Sequence, residues 1–176
     1  MEALISTIDF LFSLGTVILW AFSLILIIGL IAKDKSALYA FFAKHALVIL
    51  FLVSLGGVVG SLIYSEVIGF TPCMLCWYQR IAMYPITIIS AVALIRKKAD
   101  EVWNYALTLA ILGGIVALFH NYEQIVGVEV VPCPAGTVSC LQDLVKGFGF
   151  IDIPLMSLTF FVVIILLISN KKRFAS

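Results

Sequence analysis

Residues 71–95 read TPCMLCWYQRIAMYPITIISAVALI, which joins a Cys-x-x-Cys pair to a long apolar run. The part from 77 to 95 is interrupted only by Gln79 and Arg80. About 20 helical residues are needed to cross the hydrocarbon core of a bilayer. The stretch therefore predicts a transmembrane helix with two thiols at its mouth and a cation about one turn further in.

Four further stretches are long and apolar enough to cross a membrane. They are residues 10–32, 46–64, 102–120 and 153–169. Of the 176 residues, 63% are hydrophobic and only 12% are charged. A soluble domain of this size cannot bury so much apolar surface. Helices satisfy their backbone hydrogen bonds within one segment, and the period-2 alternation of membrane barrels is absent from the sequence. We therefore expect an all-α membrane protein with five spans.

The lysines and arginines predict how these spans are oriented. They cluster after the first, third and fifth spans in chain order: Lys33, Lys35, Lys44; Arg96, Lys97, Lys98; and Lys171, Lys172, Arg173. Alternating spans put all of them on one side, which the positive-inside rule assigns to the cytoplasm. The N-terminus is then outside and the C-terminus cytoplasmic. Because its basic residues follow it, the first span differs from a cleaved signal peptide, and we expect it to be retained.

All four cysteines lie in the two predicted outer loops or at their membrane edges. Cys73 and Cys76 form one pair, and Cys133 and Cys140, in VPCPAGTVSC, form another. A disulfide across a two-residue gap constrains little chain entropy, so the first pair suits thiol–disulfide exchange better than bracing. Pro72 places Cys73 at the first turn of a helix, where unpaired N–H groups favour a thiolate. The pattern predicts two redox couples in an oxidising compartment.

Two inert interpretations of the cysteines stay open. Cys133 and Cys140 are compatible with a structural disulfide in an exposed loop, and four thiolates could close a tetrahedral zinc site. The Cys-x6-Cys spacing is wide for a zinc knuckle, however, and a structural zinc would leave Arg80 unexplained. We therefore expect no metal.

Arg80 lies four residues after Cys76, so the two side chains share one helix face. A cation inside the outer leaflet costs free energy unless it reaches the lipid surface or has a partner, and it marks a functional site by default. One alternative is an arginine bound to lipid phosphate. Beside a reactive thiol pair, the guanidinium could instead hold Cys76 as thiolate and stabilise negative charge on a carbonyl-bearing acceptor. A lipid-soluble quinone meets these requirements, and the sequence shows no nucleotide-binding or haem motif.

Three other features bear on the architecture around these thiols. His120 ends the fourth predicted span at the level of the Cys-x-x-Cys, where an interfacial histidine and a ligand are both possible. In the second outer loop, LQDLVKGF (141–148) has the periodicity of a short surface helix that returns Cys140 towards Cys73. Close helix packing is indicated by the small residues Gly56, Gly57, Gly60, Ser61, Gly113 and Gly114.

The stretch PCMLCWYQR (72–80) resembles the DsbB/BdbC disulfide-bond formation proteins, in which Cys-x-x-Cys-x-x-x-Arg opens a membrane helix. The second cysteine pair and the Ile-Pro start of the last span extend the resemblance. It implies a four-helix transmembrane bundle of the DsbB type over residues 46–176, with outer redox loops at 65–76 and 121–152. Residues 1–45 would add an extra N-terminal transmembrane helix and its cytoplasmic connection.

The resemblance also implies an activity in the bacterial cytoplasmic membrane. Members of this family reoxidise a thioredoxin-like dithiol oxidase of the DsbA/BdbD type and pass its electrons to membrane quinone, either ubiquinone or menaquinone. By position, Cys133 would form the mixed disulfide with the partner, and Cys140 would exchange with Cys73. Cys76 would face the quinone, with Arg80 beside the quinone oxygen.

One residue match and one spacing complete the resemblance. His120 corresponds to a family histidine near the quinone, being similarly placed upstream of Cys133. The Cys-x6-Cys spacing is much shorter than in Gram-negative DsbB and closer to the compact BdbC type. The distance over which the loop moves between partner and Cys-x-x-Cys is therefore not predicted by the resemblance.

Other functions compete with a quinone-linked thiol oxidase. A conduit for electrons from cytosolic thiols needs cysteines within the spans or facing the cytoplasm, and none is predicted there. A vitamin K epoxide reductase-like quinone reductase has its Cys-x-x-Cys after the loop pair, whereas here it comes first. A non-enzymatic membrane protein with structural disulfides or zinc gives Arg80 no role. The net charge of +1 gives no sign of a nucleic-acid partner.

Overall fold

The structure is a computed structural model that describes residues 2–32, 36–131, 138–142 and 145–175. Its long helices, in chain order, are α1 (Glu2–Ile31), α2 (Ala37–Leu62), α3 (Met74–Arg96), α4 (Val102–Val126) and α5 (Ile153–Ala175). A π-helical turn, Ile63–Val67, extends α2. Within the described part of the chain, five helices are long and apolar enough to span a membrane. The predicted all-α class and its five spans are confirmed, and each helix is longer than its predicted apolar run.

Helices α2 to α5 form a closed four-helix bundle. α3 packs between α2 and α4, and α5 packs between α4 and α2. Ile86 of α3, Ala110 of α4 and Phe161 of α5 are completely buried in its core. A Cβ atom on Gly113 would collide with the ring of Phe161, so this glycine lets α4 and α5 approach closely. The predicted bundle of four helices with one additional N-terminal helix is confirmed.

The additional helix α1 lies outside the bundle and packs chiefly against α5. Trp20 Nε1 donates a hydrogen bond to Thr159 Oγ1 at 2.8 Å. Nearer the other end of α5, Arg173 donates to the carbonyl oxygen of Gly29. Gly29 also allows close approach to α2, because a Cβ atom there would collide with the ring of Tyr39. Specific contacts at several levels therefore fix α1 to the bundle.

The small residues of α2 do not all serve packing. A Cβ atom on Gly57 would lie 2.8 Å from the ring of Phe160, and one on Gly60 would lie 2.7 Å from the ring of Phe12 in α1. Close packing is confirmed at these two positions. At Gly56 the prediction is wrong, since no described atom of a neighbouring element lies within 4 Å of the Cβ position. This glycine faces open space.

The segment before α5 is a turn rather than a helix. Gly147 and Ile151 form an antiparallel β-bridge. Phe148 and Gly149 both adopt left-handed backbone conformations, with φ of 50° and 86°, which a right-handed helix excludes. As far as residues 141–148 are described, the predicted surface helix is wrong. Its apolar period covered too few residues to overcome the cost of helix nucleation, and its glycines favour a turn.

Candidate redox site

The Cys-x-x-Cys pair begins α3. Cys73 is the N-cap residue, with φ of −70° and ψ of 172°, and Cys76 lies in the first turn. The preceding Pro72 disfavours further helix upstream. The Cys73 sulfur accepts a hydrogen bond from the backbone N–H of Cys76 at 3.4 Å, so the thiol takes the place that a serine or aspartate side chain has at many helix starts. The spacing and Pro72 therefore place both sulfurs where the sequence predicts them.

The two sulfurs of this pair are thiols joined by a hydrogen bond. Cys73 donates to the Cys76 sulfur at 3.1 Å. This bond, followed by burial, raises the pKa of Cys73 to about 12, because loss of the proton would break the bond and leave a charge with little solvation. In this dithiol state the predicted thiolate at Cys73 is wrong. Cys76 accepts this hydrogen bond.

His120 links Cys73 to the second loop. Its Nε2 atom lies 3.9 Å from the Cys73 sulfur and 3.1 Å from the carbonyl oxygen of Cys140. Its Nδ1 atom lies 3.1 Å from Nε2 of Gln79. Because an amide N–H group only donates, Nδ1 is the acceptor and Nε2 carries the proton. The N–H group of His120 thus lowers the pKa of Cys73, against the larger effects of Cys76 and burial.

Cys140 lies beside Cys73 at the start of α3. Both are buried, and they share a small apolar cluster with Leu75. Donor atoms of Cys73, His120 and Cys140 lie within 4.8 Å of one another. A small movement would therefore bring the two sulfurs to bonding distance, as thiol–disulfide exchange requires. The same three donors could hold a thiophilic metal such as Zn²⁺, so the expected absence of a metal stays a prediction.

Residues at the end of α4 hold the described parts of the second loop. Glu123 is completely buried and accepts hydrogen bonds from the backbone N–H groups of residues 130–131, at 2.7 and 3.0 Å. Gln124 donates to the carbonyl oxygen of Cys140 at 3.1 Å. Cys133, the predicted partner-facing thiol, falls between these anchors and outside the described residues. The loop is thus fastened to α4 on both sides of Cys133.

Arg80 lies one turn beyond Cys76 in α3 and is buried, with 8% of its surface exposed. Its Nε atom donates to Ser61 Oγ at 2.8 Å, and Nη2 donates to the Ser61 carbonyl oxygen at 2.9 Å. The guanidinium also lies 5.4 Å from the ring centroid of Trp77. These contacts hold the Arg80 side chain against α2. Since Ser61 is neutral, they leave the positive charge available to an anion or a carbonyl oxygen.

A cavity of about 410 Å³ opens beside these residues. Cys73, Cys76 and Arg80 all contribute to its wall, and most of the remaining wall is apolar. The volume lies in the range of small-molecule binding pockets, and such pockets combine apolar walls with a few polar groups. The site therefore joins a dithiol and a buried cation to a space of ligand size.

Two side chains at this site have contacts that were not predicted from the sequence. Gln79 is 5% exposed and orients the ring of His120. Gln79 and Arg80 are the only amide or charged side chains in residues 77–95, and such a group buried in a span indicates a functional site, so a signal was present. Ser61 was assigned to helix packing, and nothing in its sequence context indicates its bonds to Arg80.

A reduced Cys-x-x-Cys at the mouth of a membrane helix, with a loop cysteine beside it, defines a helical membrane thiol–disulfide oxidoreductase. The family model described as disulfide bond formation protein DsbB matches residues 43–169. The chain belongs to the DsbB family, and it is a multi-pass membrane protein that generates disulfides. The resemblance carried by residues 72–80 is therefore confirmed.

Curated relatives give the same result. The chain is 40% identical over 136 residues to the SPbeta prophage-derived disulfide bond formation protein B of Bacillus subtilis (strain 168), covering 74% of this chain and 91% of that protein. It is 39% identical over 130 residues to disulfide bond formation protein C of the same strain, covering 70% and 91%. Over 144 residues it is 35% identical to probable disulfide formation protein C 1 of Bacillus cereus (strain ATCC 10987 / NRS 248), covering 79% and 99%. No solved structure matches the chain.

Proposed function

We propose that this protein reoxidises a thioredoxin-like extracytoplasmic dithiol oxidase and passes the electrons to membrane quinone. One observation carries the proposal: Cys73 lies beside Cys140 and is hydrogen-bonded to Cys76, which borders the apolar cavity. The three sulfurs form a continuous route from the second loop to a membrane-embedded pocket. The positive-inside rule predicts that this route faces the extracytoplasmic side.

The first exchange takes electrons from the partner. A partner thiolate attacks Cys133 in a Cys133–Cys140 disulfide, the bond between the two loop sulfurs breaks, and Cys140 leaves as thiolate. The partner's second thiolate then attacks the partner sulfur that is bonded to Cys133. This closes the partner's disulfide and releases Cys133 as a thiolate. The partner leaves as a disulfide, and the loop pair now holds two more electrons and, after protonation, two protons.

The second exchange moves these electrons to the membrane pair. Cys140 attacks Cys73 in a Cys73–Cys76 disulfide, forms a Cys73–Cys140 bond and releases Cys76. Cys133 then attacks Cys140, reforms the loop disulfide and releases Cys73. The N–H group of His120, 3.9 Å from the Cys73 sulfur, stabilises the negative charge on this leaving group. The hydrogen-bonded Cys73–Cys76 dithiol has the redox state expected of the product of this exchange, which supports the proposal.

The residues around the cavity fit a quinone ring. A quinone bound there would accept two electrons and two protons as Cys73 and Cys76 form their disulfide. Cys76, which accepts the hydrogen bond from Cys73, presents its sulfur to the cavity. Arg80, held by Ser61, supplies a fixed positive charge for an acceptor oxygen. The mostly apolar walls suit a lipid-soluble molecule.

Two other functions use the same residues. A vitamin K epoxide reductase-like quinone reductase would share the acceptor pocket but would not depend on a thioredoxin-like partner. A non-enzymatic protein could hold zinc through Cys73, His120 and Cys140, whose donor atoms converge. The three functions differ in partner dependence and in metal content.

The proposal is tested by mixing purified protein, a reduced thioredoxin-like oxidase and a soluble quinone analogue without oxygen. We expect one quinone to be reduced for each partner disulfide formed, followed by quinone absorbance and by thiol labelling. The matched control is Cys133→Ser, which should stop partner-driven reduction. Quinone reduction that a small dithiol supports and the partner does not would favour the vitamin K epoxide reductase-like function. A stoichiometric zinc ion with unreactive thiols would indicate a structural site.

A further inference from the structure

The cavity beside Cys76 and Arg80 extends well beyond these two residues. Along α2 it is lined by residues from Ser61 to Leu52, a separation of about 13 Å along the helix axis. The far part is bordered by α1 as well as by α2 and α5. The cavity is therefore elongated, with its polar groups near the cysteines and an apolar extension towards the membrane interior.

We propose that this extension binds the apolar chain of the quinone and that α1 supplies one of its walls. We call it the tail groove and define it by Phe12, Gly15, Thr16, Leu19, Leu52 and Gly56. This inference rests on the proposed function and deepens it. The family match begins at residue 43, so the wall formed by α1 is a feature of this chain that the match does not cover.

The packing of α1 explains why a groove exists there. α1 approaches α2 closely at Gly60, which lies under the ring of Phe12, and again at Gly29, which lies against Tyr39. Gly15 lies between these two contacts, and no described atom of a neighbouring element lies within 4 Å of its Cβ position. The two helices thus touch at these two levels and leave space between them, next to the contact of Phe12 with Gly60.

The lining of this space suits a hydrocarbon chain. Gly56, on the α2 side, faces open space in the same way as Gly15. The hydroxyl of Thr16 donates to the carbonyl oxygen of Phe12 at 2.9 Å, so its hydrogen bond is made within α1. Protein interiors are close-packed, and a space of this kind in a membrane protein gains dispersion contacts when an apolar chain fills it.

The continuity of the cavity favours a quinone chain over a lipid acyl chain. The groove opens directly into the space beside Arg80 and Cys76, so a ring held there would direct its own chain along α2. A phospholipid chain in the groove would bring its head group towards the redox residues and compete with the acceptor. One bound molecule therefore accounts for both parts of the cavity.

Two substitutions fill the groove without removing a contact. Gly15→Leu and Gly56→Leu each add a side chain in open space, and leucine favours a helix more than glycine does. The matched control is Ile18→Phe, which adds bulk on the exposed face of α1, where Ile18 is 60% exposed. Correct folding is checked by the retained Cys73–Cys76 exchange with a soluble dithiol and by thermal melting in detergent.

The readout is equilibrium binding, followed by quenching of the fluorescence of the three tryptophans by a long-chain quinone and by its chain-free analogue. Dissociation constants are compared as the ratio of variant to wild type in the same detergent, because partitioning of the quinone into micelles then affects both proteins equally. We expect each groove variant to raise the dissociation constant of the long-chain quinone by about tenfold. This is the effect expected when about two methylene groups of the chain are no longer buried. Chain-free binding and the Ile18→Phe protein should change less than about twofold, within the scatter of surface substitutions.

Three outcomes would overturn the tail groove. Equal weakening of both quinones would place the leucines in the ring site, and no weakening of either would show that the groove is unused. Wild-type protein that binds both quinones equally well would indicate a lipid chain as the occupant. These results leave quinone reduction intact and so differ from failure of the proposed function, in which wild-type protein neither binds nor reduces any quinone.

Discussion

Cys73 Sγ lies 3.9 Å from His120 Nε2. The two residues are on different helices, and their contact joins the mouth of α3 to the end of α4. It places an N–H donor beside the sulfur that we propose to exchange with Cys140 and then leave. The same sulfur is held as a thiol by its hydrogen bond to Cys76. Cys76 therefore raises the pKa of Cys73 and His120 lowers it. Each of these two neighbours can be removed by its own substitution.

Removing Cys76 should lower the pKa of Cys73. In the dithiol this pKa is raised to about 12, first by the hydrogen bond to Cys76 and then by burial. In Cys76→Ala the first cause is lost, so the Cys73 thiolate should form at lower pH than in the dithiol. Absorbance at 240 nm during a pH titration measures it, in a background with Cys133→Ala and Cys140→Ala. A midpoint at or above 12 would show that burial alone controls this thiol.

Removing His120 should have the opposite effect. Its N–H group lowers the pKa of Cys73, so His120→Ala in the same single-thiol background should move the midpoint upward. In the intact protein, exchange between loop and membrane pairs should slow by about tenfold, the typical effect of losing a hydrogen bond to a charged group. Acid-quenched thiol trapping measures this rate.

The matched control for His120 is Gln124→Ala. Gln124 donates to the same Cys140 carbonyl oxygen but has no hydrogen bond to Cys73. The Cys73 titration should be unchanged in this variant. Equal shifts in both variants would mean that His120 acts by positioning the loop rather than by contacting the sulfur.

Arg80 and Ser61 should affect the quinone half of the reaction in different degrees. Arg80→Ala should lower kcat/KM for quinone by about a hundredfold, as expected for loss of a fixed charge at a developing anion. Ser61→Ala should lower it only about fivefold, since it removes one of the two hydrogen bonds that position the guanidinium and keeps the one to the backbone carbonyl oxygen. Steady-state rates across quinone concentrations measure both. Exchange between partner and loop should be unchanged, and unaltered quinone kinetics in Arg80→Ala would reduce Arg80 to a structural residue.

Glu123 should hold the start of the second loop against the end of α4. Its carboxylate accepts two backbone N–H groups at residues 130–131, and bonds of this charge-assisted kind are the stronger ones. Glu123→Gln keeps the shape but loses the charge, so amide hydrogen exchange at 130–131 should become about tenfold faster. Mass spectrometry of the loop peptides measures it. Unchanged protection would indicate that other contacts hold the loop.

The helices and the redox pair were predictable because their signals are local. An apolar run such as residues 77–95 specifies its own backbone hydrogen bonds, and Pro72 with two nearby thiols specifies where α3 begins. The hydrogen bond from Cys73 to Cys76 is less visible, because it depends on the rotamers of both residues. The helix dipole alone predicted a thiolate at Cys73, whereas in the structure Cys73 is a thiol that donates to Cys76.

The remaining features depend on contacts between distant segments. Gly56 and Gly57 are adjacent and alike in sequence, yet one faces a cavity and the other the ring of Phe160. That difference depends on where α1 and α5 lie. The turn at 147–151 replaced a predicted helix for a similar reason, since its bridge and glycines outweigh a short apolar period. The hydrogen bonds from Arg80 to Ser61 likewise leave no local pattern in the sequence.

The route between the two couples is tested most directly by leaving one sulfur of each. In the Cys76→Ser Cys133→Ser protein, only Cys73 and Cys140 remain, and their donor atoms lie within 4.8 Å. We predict that a mild oxidant forms an intramolecular Cys73–Cys140 disulfide in nearly every molecule, as mapped by peptide mass spectrometry. The matched Cys73→Ser Cys133→Ser protein should form its bond more slowly. Absence of the Cys73–Cys140 bond, or its formation only between two molecules, would contradict electron transfer through these two sulfurs.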